Sequence, residues 1–290
     1  MSNKPKILLQ FDSDQHPSVF DSVVAIDSGV DHLLTFGSVE AVDVRELVHG
    51  AMFTRGGDSL KHTAIFIGGS RVKSAEQILR AVKDCFFGDV RVSIMLDANG
   101  ANTTAAAAVL CLNRHLAVAG KTIGVLGATG SVGQRVCRLL GSQGAAVRVG
   151  SRSLERATAL TQKIQGRHDN MNLQPFTTES PLKLAQFVDA CDAIVATGAA
   201  GVELIKKEQW QNSDTLQVAI DLNAVPPAGI EGVDAFATAN NVQGKCVYGA
   251  IGIGNLKMKI HKRAIATLFE ANNHTLDVDE IYRIGQQFAG

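Results

Sequence analysis

The chain has 290 residues, of which 46% are hydrophobic and 19% are charged, and its 28 Lys and Arg residues balance its 28 Asp and Glu residues. At about 150 residues per domain, this length predicts roughly two domains with substantial cores. The charge balance argues against a nucleic-acid partner or an acidic membrane surface, because either would require a basic excess.

The cysteines and the apolar stretches indicate the compartment. The five cysteines are far apart and include no CxxC pair, which argues against a disulfide framework or a zinc site. The N-terminal residues lack the apolar core of a signal peptide, and the longest wholly apolar stretch, 105–112, is far shorter than the ~20 residues that span a bilayer. We therefore expect a cytoplasmic protein with free thiols and no metal.

The first third of the chain alternates short apolar strands with stretches of helical spacing. The pattern predicts strands at 6–11, 32–36, 51–54, 64–68 and 92–96. It predicts helices at 17–26, around 39–48 and at 72–86. A chain that repeats strand and helix in this way favours a parallel sheet with helices on its faces.

An alanine-rich helix is predicted within 97–120, where it begins after turn residues and ends at Gly120. A second set of strands follows, at 122–127, 146–150, 193–197 and 217–221. Helices are predicted at 131–143, 153–165, 181–190, 254–271 and 277–288. The fold class is therefore α/β.

A glycine-rich turn between a strand and a helix is the strongest motif. A GxxGxxG sequence follows the strand at 122–127 directly, and an amphipathic helix and a second strand come after it. Glycines let the backbone bend sharply against a pyrophosphate, and the helix directs its N-terminal N–H groups at that anion. The predicted cofactor-binding residues here are Gly127, Ala128, Thr129, Gly130, Ser131, Val132 and Gly133. A tight turn without a ligand is the alternative.

The end of the second strand indicates which dinucleotide is bound. An NAD site usually has an acidic residue there, but this chain has Ser151, Arg152 and Ser153, with no carboxylate before Glu155. Arg152 can pair with a 2′-phosphate, and the two serines can donate hydrogen bonds to it. This pattern favours NADP and leaves NAD open, and a solvated loop arginine is the alternative.

Two later strand ends and one further glycine complete the predicted cofactor site, since ligands bind beyond the carboxyl ends of such strands. These residues are Thr197, Gly198, Ala199, Asp221, Asn223 and Gly252. Strand ends rich in glycine are also ordinary turns, so both interpretations stay open.

The segment 252–269 contains the candidate reacting side chains. On a helix, a buried stripe is formed by Leu256, Ile260, Ala264 and Leu268. Lys257 and His261 lie four residues apart and are predicted to line the edge of this stripe. Lysines that snorkel from such an edge without any function are the alternative. Hydrolytic motifs such as HExxH do not occur.

Several long motifs resemble one known family. They are DSDxxPSVFDxVVxxD at 12–27, TRGG at 54–57, TAIFIGG at 63–69, MLDANGANTTAAA at 95–107, ATGAAGVEL at 196–204, DLNAVPPAGIEGVDA at 221–235 and GAIGIGNLKMKIHKRAI at 249–265. Together they resemble the NAD(P)-dependent methylene-tetrahydromethanopterin dehydrogenases of methylotrophic bacteria. The resemblance extends over nearly the whole chain.

The resemblance implies a two-domain subunit and a reaction. Residues 1–101 and 255–290 would form an N-terminal α/β substrate domain completed by C-terminal helices, and 102–254 would form an inserted Rossmann-like NAD(P)-binding domain. The reduced pterin would lose hydride from its methylene bridge to NADP or NAD. The partners would be small molecules, without metal, membrane or nucleic acid, and the subunits would form a homo-oligomer.

The resemblance also implies roles for individual residues. Lys257 would be the essential side chain and would hold a pterin carbonyl or nitrogen, with His261 orienting it. Asp21, Asn102 and Thr103 would contact the pterin, although a solvated helix residue is the alternative for Asp21.

Three other functions remain open. A tetrahydrofolate enzyme of the same class would have a very similar sequence. A non-catalytic NADP-binding redox sensor would need the glycine turn and Arg152 but not Lys257. A shikimate-type dehydrogenase is a weaker alternative, because its paired Lys and Asp are not found in the sequence.

Overall fold

The computed structural model describes residues 4–168 and 170–288, which form two compact units. The first unit contains the described residues up to Thr103 together with Met258–Ile284. The second contains Thr104–Lys257 and the described residues from Gly285 onward. In these described ranges, no helix is both long and apolar enough to cross a membrane.

Strands and helices alternate along most of the chain. The strands are Ile7–Phe11 (β1), His32–Phe36 (β2), Thr63–Ile67 (β3), Ser93–Leu96 (β4), Thr122–Leu126 (β5), Ala146–Ser151 (β6), Leu173–Thr177 (β7), Ala193–Ala196 (β8), Val218–Asp221 (β9), Thr238–Val242 (β10), Lys245–Tyr248 (β11) and Thr275–Leu276 (β12). The helices are Val19–Asp27 (α1), Val44–Phe53 (α2), Val72–Asp84 (α3), Ala101–Asn113 (α4), Ser131–Ser142 (α5), Leu154–Gln165 (α6), Pro181–Val188 (α7), Gly254–Thr267 (α8) and Val278–Gln286 (α9). Short 3-10 helices lie at Gly57–His62, Ala98–Gly100 and Lys207–Gln209.

The first unit contains a five-stranded parallel sheet in the order β12-β4-β3-β1-β2. Apolar residues of β1, β3 and β4 pack against α2 and α3 in one core cluster. The carboxyl ends of parallel strands lie at the same edge of a sheet. Asp12, Gly68 and Asp97, which follow β1, β3 and β4, are therefore brought to one edge.

The second unit contains a seven-stranded sheet in the order β10-β11-β9-β8-β5-β6-β7. All its pairings are parallel except that of β10 with β11. From β5 the chain runs outward through β6 and β7, and it then crosses over to β8 and β9 on the other side. Such a reversal leaves a crevice at the carboxyl ends of β5 and β8, where doubly wound sheets bind ligands.

The α/β fold class, the parallel sheets and most predicted elements are confirmed. The strand predicted at 51–54 is wrong, because 51–53 are the last residues of α2 and Thr54 caps it. The buried side chains Val44, Val48, Ala51 and Met52 of this helix have helical spacing. The alanine-rich helix ends at Asn113 rather than at Gly120.

Candidate functional site

The turn after β5 requires glycine at its first position. Gly127 has φ +68°, a left-handed conformation that L side chains rarely adopt. A Cβ atom there would also lie 3.0 Å from both Cα and N of Gly198, which follows β8. The two loops at the reversal of the sheet are therefore in backbone contact.

The other two glycines of the motif differ from each other. A Cβ on Gly133 would lie 2.6 Å from both Cα of Ala128 and Oγ1 of Thr197, so packing within the protein excludes a side chain there. A Cβ on Gly130 would have its nearest neighbours at 3.5 and 3.6 Å, and the φ of this residue is −71°. The fold itself therefore permits a side chain at 130. Its absence leaves open space at the N-terminus of α5, where N–H groups stabilise an anion.

The predicted 2′-phosphate residues lie at the turn between β6 and α6. Ser153 caps α6, with Oγ accepting the N–H of Arg156 at 3.3 Å, and Oγ of the buried Ser151 accepts the N–H of Ser153 at 3.2 Å. Both hydroxyls act as acceptors in these bonds, so their hydrogens are available to a ligand. Arg152 is exposed, and within the described residues its guanidinium makes no hydrogen bond or ion pair.

The residues predicted after β8 are held against the glycine turn. Oγ1 of Thr197 donates to the carbonyl of Leu126 at 2.9 Å, and its side chain is buried. A Cβ on Gly198 would lie 2.8 Å from Cδ1 of Leu204. Ala199 is exposed in the same loop.

Asp221 and Asn223 stabilise the loop that follows β9. The Asp221 carboxylate accepts the N–H groups of Asn223 at 3.0 Å and Ile230 at 2.9 Å, and burial raises its pKa. Oδ1 of Asn223 accepts the N–H groups of Gly201 and Val225, and its amide donates to the carbonyl of Pro227. These side chains therefore serve the loop itself, and a contact with a cofactor would have to come from other atoms of the segment.

Gly252 is also explained by packing. Its backbone lies so close to the carbonyl of Ala237 that a Cβ would collide with it, and its N–H donates to the carbonyl of Ala235 at 3.1 Å. This glycine brings two backbone segments together just before α8.

In the first unit, buried carboxylates gather at the carboxyl edge of the sheet. Asp12 and Asp97 are fully buried, and Asp21 on α1 is only 9% exposed. Oδ2 of Asp21 lies 3.4 Å from the position that a Cβ on Gly68 would take, and Oδ2 of Asp12 lies 3.6 Å from it. The solvated alternative for Asp21 is therefore wrong.

The helix α8 contains the predicted lysine and histidine. The stripe of Leu256, Ile260, Ala264 and Leu268 is buried, as predicted. Lys257 is half-buried. His261 was predicted at the edge of the stripe, but it is fully buried because it stacks on Phe66, with ring centroids 5.7 Å apart.

Asn102 and Thr103 are fully buried and bonded within the protein. The Asn102 amide donates to the carbonyl of Leu96 at 2.6 Å and to Oδ1 of Asp277 at 3.0 Å. Oγ1 of Thr103 donates to Oδ2 of Asp97 at 2.6 Å. Both side chains are therefore bonded within the protein and present no exposed surface to a ligand.

Sequence reasoning missed Asp12 and Asp97. The signal was present, because each carboxylate directly follows an apolar strand and the two strands are parallel. Asp97 lies 4.0 Å from His261, measured from Oδ2 to Nδ1. The residues thus brought together in the first unit are Asp12, Asp21, Asp97 and His261.

Two further kinds of group bear on the chemistry, namely metal ligands and thiols. Across residues 4–168 and 170–288, no group of three or more His, Cys, Asp or Glu could hold a metal ion. All five cysteines are free. Burial raises the pKa of every one of these thiols, to about 11 for Cys111 and about 12 for Cys191. Raised pKa values make them poor nucleophiles at neutral pH.

Two family models match the chain in sequence. Residues 19–99 match the model described as methylene-tetrahydromethanopterin dehydrogenase, N-terminal. Residues 110–242 match the model described as shikimate / quinate 5-dehydrogenase.

Two curated proteins of Methylorubrum extorquens match over nearly their full length. The "Bifunctional protein MdtA" is 41% identical over 98% of this chain and 99% of its own. The "NAD(P)-dependent methylenetetrahydromethanopterin dehydrogenase" is 32% identical over 95% of this chain and 96% of its own. Among solved structures, quinate dehydrogenase from Corynebacterium glutamicum in complex with NAD has a TM-score of 0.54 at 13% identity, over 98% of this chain and 100% of that one. That likeness shows the fold.

Proposed function

The chain belongs to the NAD(P)-dependent methylene-tetrahydromethanopterin dehydrogenase family, and on this premise we propose that it catalyses hydride transfer from methylene-tetrahydromethanopterin to NADP or NAD. The product is the methenyl form of the pterin, so the reaction belongs to one-carbon metabolism. The main structural support is the 127–133 turn. Gly130 leaves space beside the N-terminus of α5 for an anion, although packing within the protein would permit a side chain at this position.

The cofactor would be held by the second unit. The N–H groups at the start of α5 would bind the pyrophosphate, and Gly130 would let it approach the backbone. The nicotinamide ring supplies the hydride acceptor when it is bound. The loops after β5 and β8 contact each other through Gly127 and Gly198, so this part of the site is formed before the cofactor binds.

NADP would be preferred over NAD. Arg152 makes no hydrogen bond or ion pair in the described chain, and it lies between two serines whose hydroxyl hydrogens are available. A guanidinium flanked by hydroxyls suits a phosphate dianion, whereas a ribose hydroxyl would gain much less. NAD lacks the 2′-phosphate and would bind through the remaining contacts.

The pterin would bind the first unit, where Asp21 is the proposed contact. A carboxylate can accept two hydrogen bonds from the aminopyrimidinone edge of a pterin. Asn102 and Thr103 would act indirectly, by fixing the segment around Asp97 at the carboxyl edge of the sheet. The substrate domain would therefore correspond to the unit that contains β1 to β4.

The reaction requires no proton transfer from the protein. The methylene carbon lies between two nitrogens whose lone pairs stabilise the amidinium-like cation left by hydride loss. The protein therefore has to align the reacting carbons and exclude water. A lysine ammonium close to that carbon would oppose the new positive charge, so Lys257 would hold a carbonyl or nitrogen of the pterin, and His261 would orient it from one turn later in α8.

The compartment and the assembly are also part of the proposal. Five free thiols suit a reducing compartment, so the enzyme would work in the cytoplasm.

A homo-oligomer is supported by α1, whose outer face exposes Val19, Val23 and Ile26. A second copy of the same helix would cover this face. Sedimentation equilibrium of the wild type and of Val23→Glu tests this assembly. A monomeric wild type would refute it.

The activity is tested by absorbance at 340 nm after the protein is mixed with methylene-tetrahydromethanopterin and NADP, then NAD. The measurement is repeated with methylene-tetrahydrofolate, and the absorbance of the methenyl products is subtracted. Reduction with the first pterin at the higher rate supports the proposal. Faster reduction with the folate would favour the tetrahydrofolate alternative, and NADP binding without turnover on either pterin would favour the redox sensor.

A further inference from the structure

We propose that Asp97 is a positioning residue for the hydride transfer, in that its carboxylate keeps a proton on Nδ1 of His261 and thereby fixes the helical turn that contains Lys257. This inference rests on the proposed function and extends it to Asp97, which the sequence analysis did not name as a site residue.

The two side chains face each other in a region without solvent. Oδ2 of Asp97 lies 4.0 Å from Nδ1 of His261, and both side chains are 0% exposed. A charge that is removed from water acts on its neighbours far more strongly than a surface charge, because the local dielectric is low. An anionic oxygen at this distance favours a hydrogen on the nitrogen that faces it.

Asp97 is held in place by three donors. Oδ1 accepts the N–H groups of Asn102 at 2.8 Å and Thr103 at 3.0 Å, and Oδ2 accepts the Thr103 hydroxyl at 2.6 Å. The two N–H groups belong to the first turn of α4, where the positive end of the helix dipole stabilises an anion. The carboxylate is therefore fixed in orientation, with Oδ2 towards His261.

His261 is also restrained, by aromatic rings. Its ring stacks on Phe66 at 5.7 Å with 24° between the planes, and Phe20 approaches it at 6.4 Å. These contacts limit rotation of the imidazole, so its distance to Asp97 is set by the core. When one ring nitrogen of a neutral histidine faces a carboxylate, that nitrogen carries the hydrogen. The other ring nitrogen then has none and can only accept a hydrogen bond.

The connection to Lys257 is the geometry of α8. Lys257 lies four residues before His261, so the two side chains lie on the same face of the helix, one turn apart. Because His261 lies 4.0 Å from Asp97 at the end of β4, their attraction would set the rotation and height of the preceding turn. A change in that attraction would move the lysine relative to a bound pterin, and small displacements of this kind reduce turnover strongly.

The test compares Asp97→Asn with Asp97→Ala. Asparagine retains Oδ1 as an acceptor for the first turn of α4 and places an uncharged amide donor where Oδ2 faces His261. The Thr103 hydroxyl, which donates to Oδ2, can donate to the Gly100 carbonyl instead, whereas alanine removes both carboxylate oxygens. We expect Asp97→Asn to lower kcat at least about tenfold, with KM for both substrates within about threefold and with an unchanged thermal midpoint. A kcat equal to that of the wild type in a folded Asp97→Asn protein would overturn the proposal.

A double-mutant cycle separates positioning through His261 from a general structural effect. If Asp97 acts through the imidazole, Asp97→Asn has no further effect on kcat in the His261→Gln background. Independent, multiplying effects would refute the coupling. Asp27→Asn is the matched control, since this exposed carboxylate also contacts α8, through Lys262 at 2.8 Å, and is expected to leave kcat near the wild-type value.

The tautomer of His261 can be measured by NMR without any turnover, so this test does not depend on the proposed activity. In protein labelled with ¹⁵N-histidine, the His261 resonances should show a hydrogen on Nδ1, and Asp97→Asn should shift them while the other seven histidines stay unchanged. An Nδ1 without hydrogen in the wild type would refute the proposal even if the enzyme is active. A wild type that is inactive with every pterin but shows the expected resonances would refute the proposed function alone.

Discussion

The hydroxyl of Thr197 lies 2.6 Å from the position that a Cβ on Gly133 would take, and it donates to the carbonyl of Leu126 at 2.9 Å. One side chain after β8 thus joins the end of β5 to the first turn of α5. The two loops at the reversal of the sheet are fixed by contacts within the protein. Binding of a dinucleotide there should cost little conformational entropy.

The glycines at 130 and 133 should respond differently to alanine. Gly130→Ala is expected to fold with an unchanged thermal midpoint, because its new methyl group meets only ordinary contacts at 3.5 Å and beyond. It should nevertheless raise the dissociation constant for NADP at least about tenfold, because the methyl group would occupy the space next to the helix N-terminus. Isothermal titration calorimetry and thermal unfolding measure the two effects.

Gly133→Ala is the matched comparison. Its methyl group would lie 2.6 Å from the Cα atom of Ala128, so we expect a loss of about 1–3 kcal/mol in the free energy of unfolding. A Gly130→Ala protein that binds NADP as tightly as the wild type would contradict the proposed pyrophosphate site. A Gly133→Ala protein of wild-type stability would contradict the packing.

Replacement of Arg152 should separate the two cofactors. Arg152→Ala is expected to raise KM for NADP by roughly 10- to 100-fold, because the 2′-phosphate would lose a charge-assisted hydrogen bond worth about 1.5–3 kcal/mol. KM for NAD should stay within about twofold of the wild-type value. Steady-state kinetics with both cofactors measures the ratio. Arg167→Ala, at another exposed arginine beyond α6, is the control. Equal effects on NADP and NAD would remove the 2′-phosphate assignment.

Lys257 should matter for turnover and not for the nucleotide. Lys257→Ala is expected to lower kcat at least about 100-fold, since the pterin would lose the group that aligns it, while the dissociation constant for NADP stays within about threefold. Lys259→Ala is the control, because this lysine is exposed on the same helix. Normal kinetics of the Lys257 variant would refute its role, and an equal loss in both variants would indicate damage to α8 as a whole.

The sequence predicted the strands and helices that have strong apolar periodicity. Its predictions failed where tertiary contacts determine the secondary structure. AMFT at 51–54 is apolar and short, which suits a strand, yet it completes α2 because Val48 and Met52 pack on the sheet one turn apart. The edge strands β7 and β10 were missed. Their sequences, LQPFT and TANNV, contain a proline or mainly polar residues, which only an edge position tolerates.

The candidate site could be predicted only in part, for a similar reason. The glycine turn has a local signal, because its strand, its loop and its helix are consecutive in sequence. The pair of Asp97 and His261 has none, since its members are 164 positions apart in the sequence and the fold alone brings them together. The burial of His261 likewise depends on Phe66 of β3, a neighbour that periodicity within α8 cannot reveal.

The buried thiols should make the protein less stable at alkaline pH. Burial raises the pKa of Cys111 to about 11 and that of Cys191 to about 12, and it raises that of Cys137 as well, from an ordinary value of 9.0. A thiol with a raised pKa in the folded state holds its proton after the unfolded chain has lost it. Its stabilising contribution is therefore complete below about pH 9 and is lost as the pH rises through the folded pKa.

Above pH 9, each such thiol should reduce the free energy of unfolding by about 1.4 kcal/mol per pH unit. Urea unfolding at pH 8, 9 and 10 measures this slope. Cys137→Ala should lower the slope by the contribution of one thiol, whatever its effect on stability at pH 8, because Cys137 is fully buried. Cys85→Ala, which removes a half-buried thiol, should change the slope less. Equal slopes for the wild type and Cys137→Ala would mean that this thiol is not protected from ionisation in the folded protein.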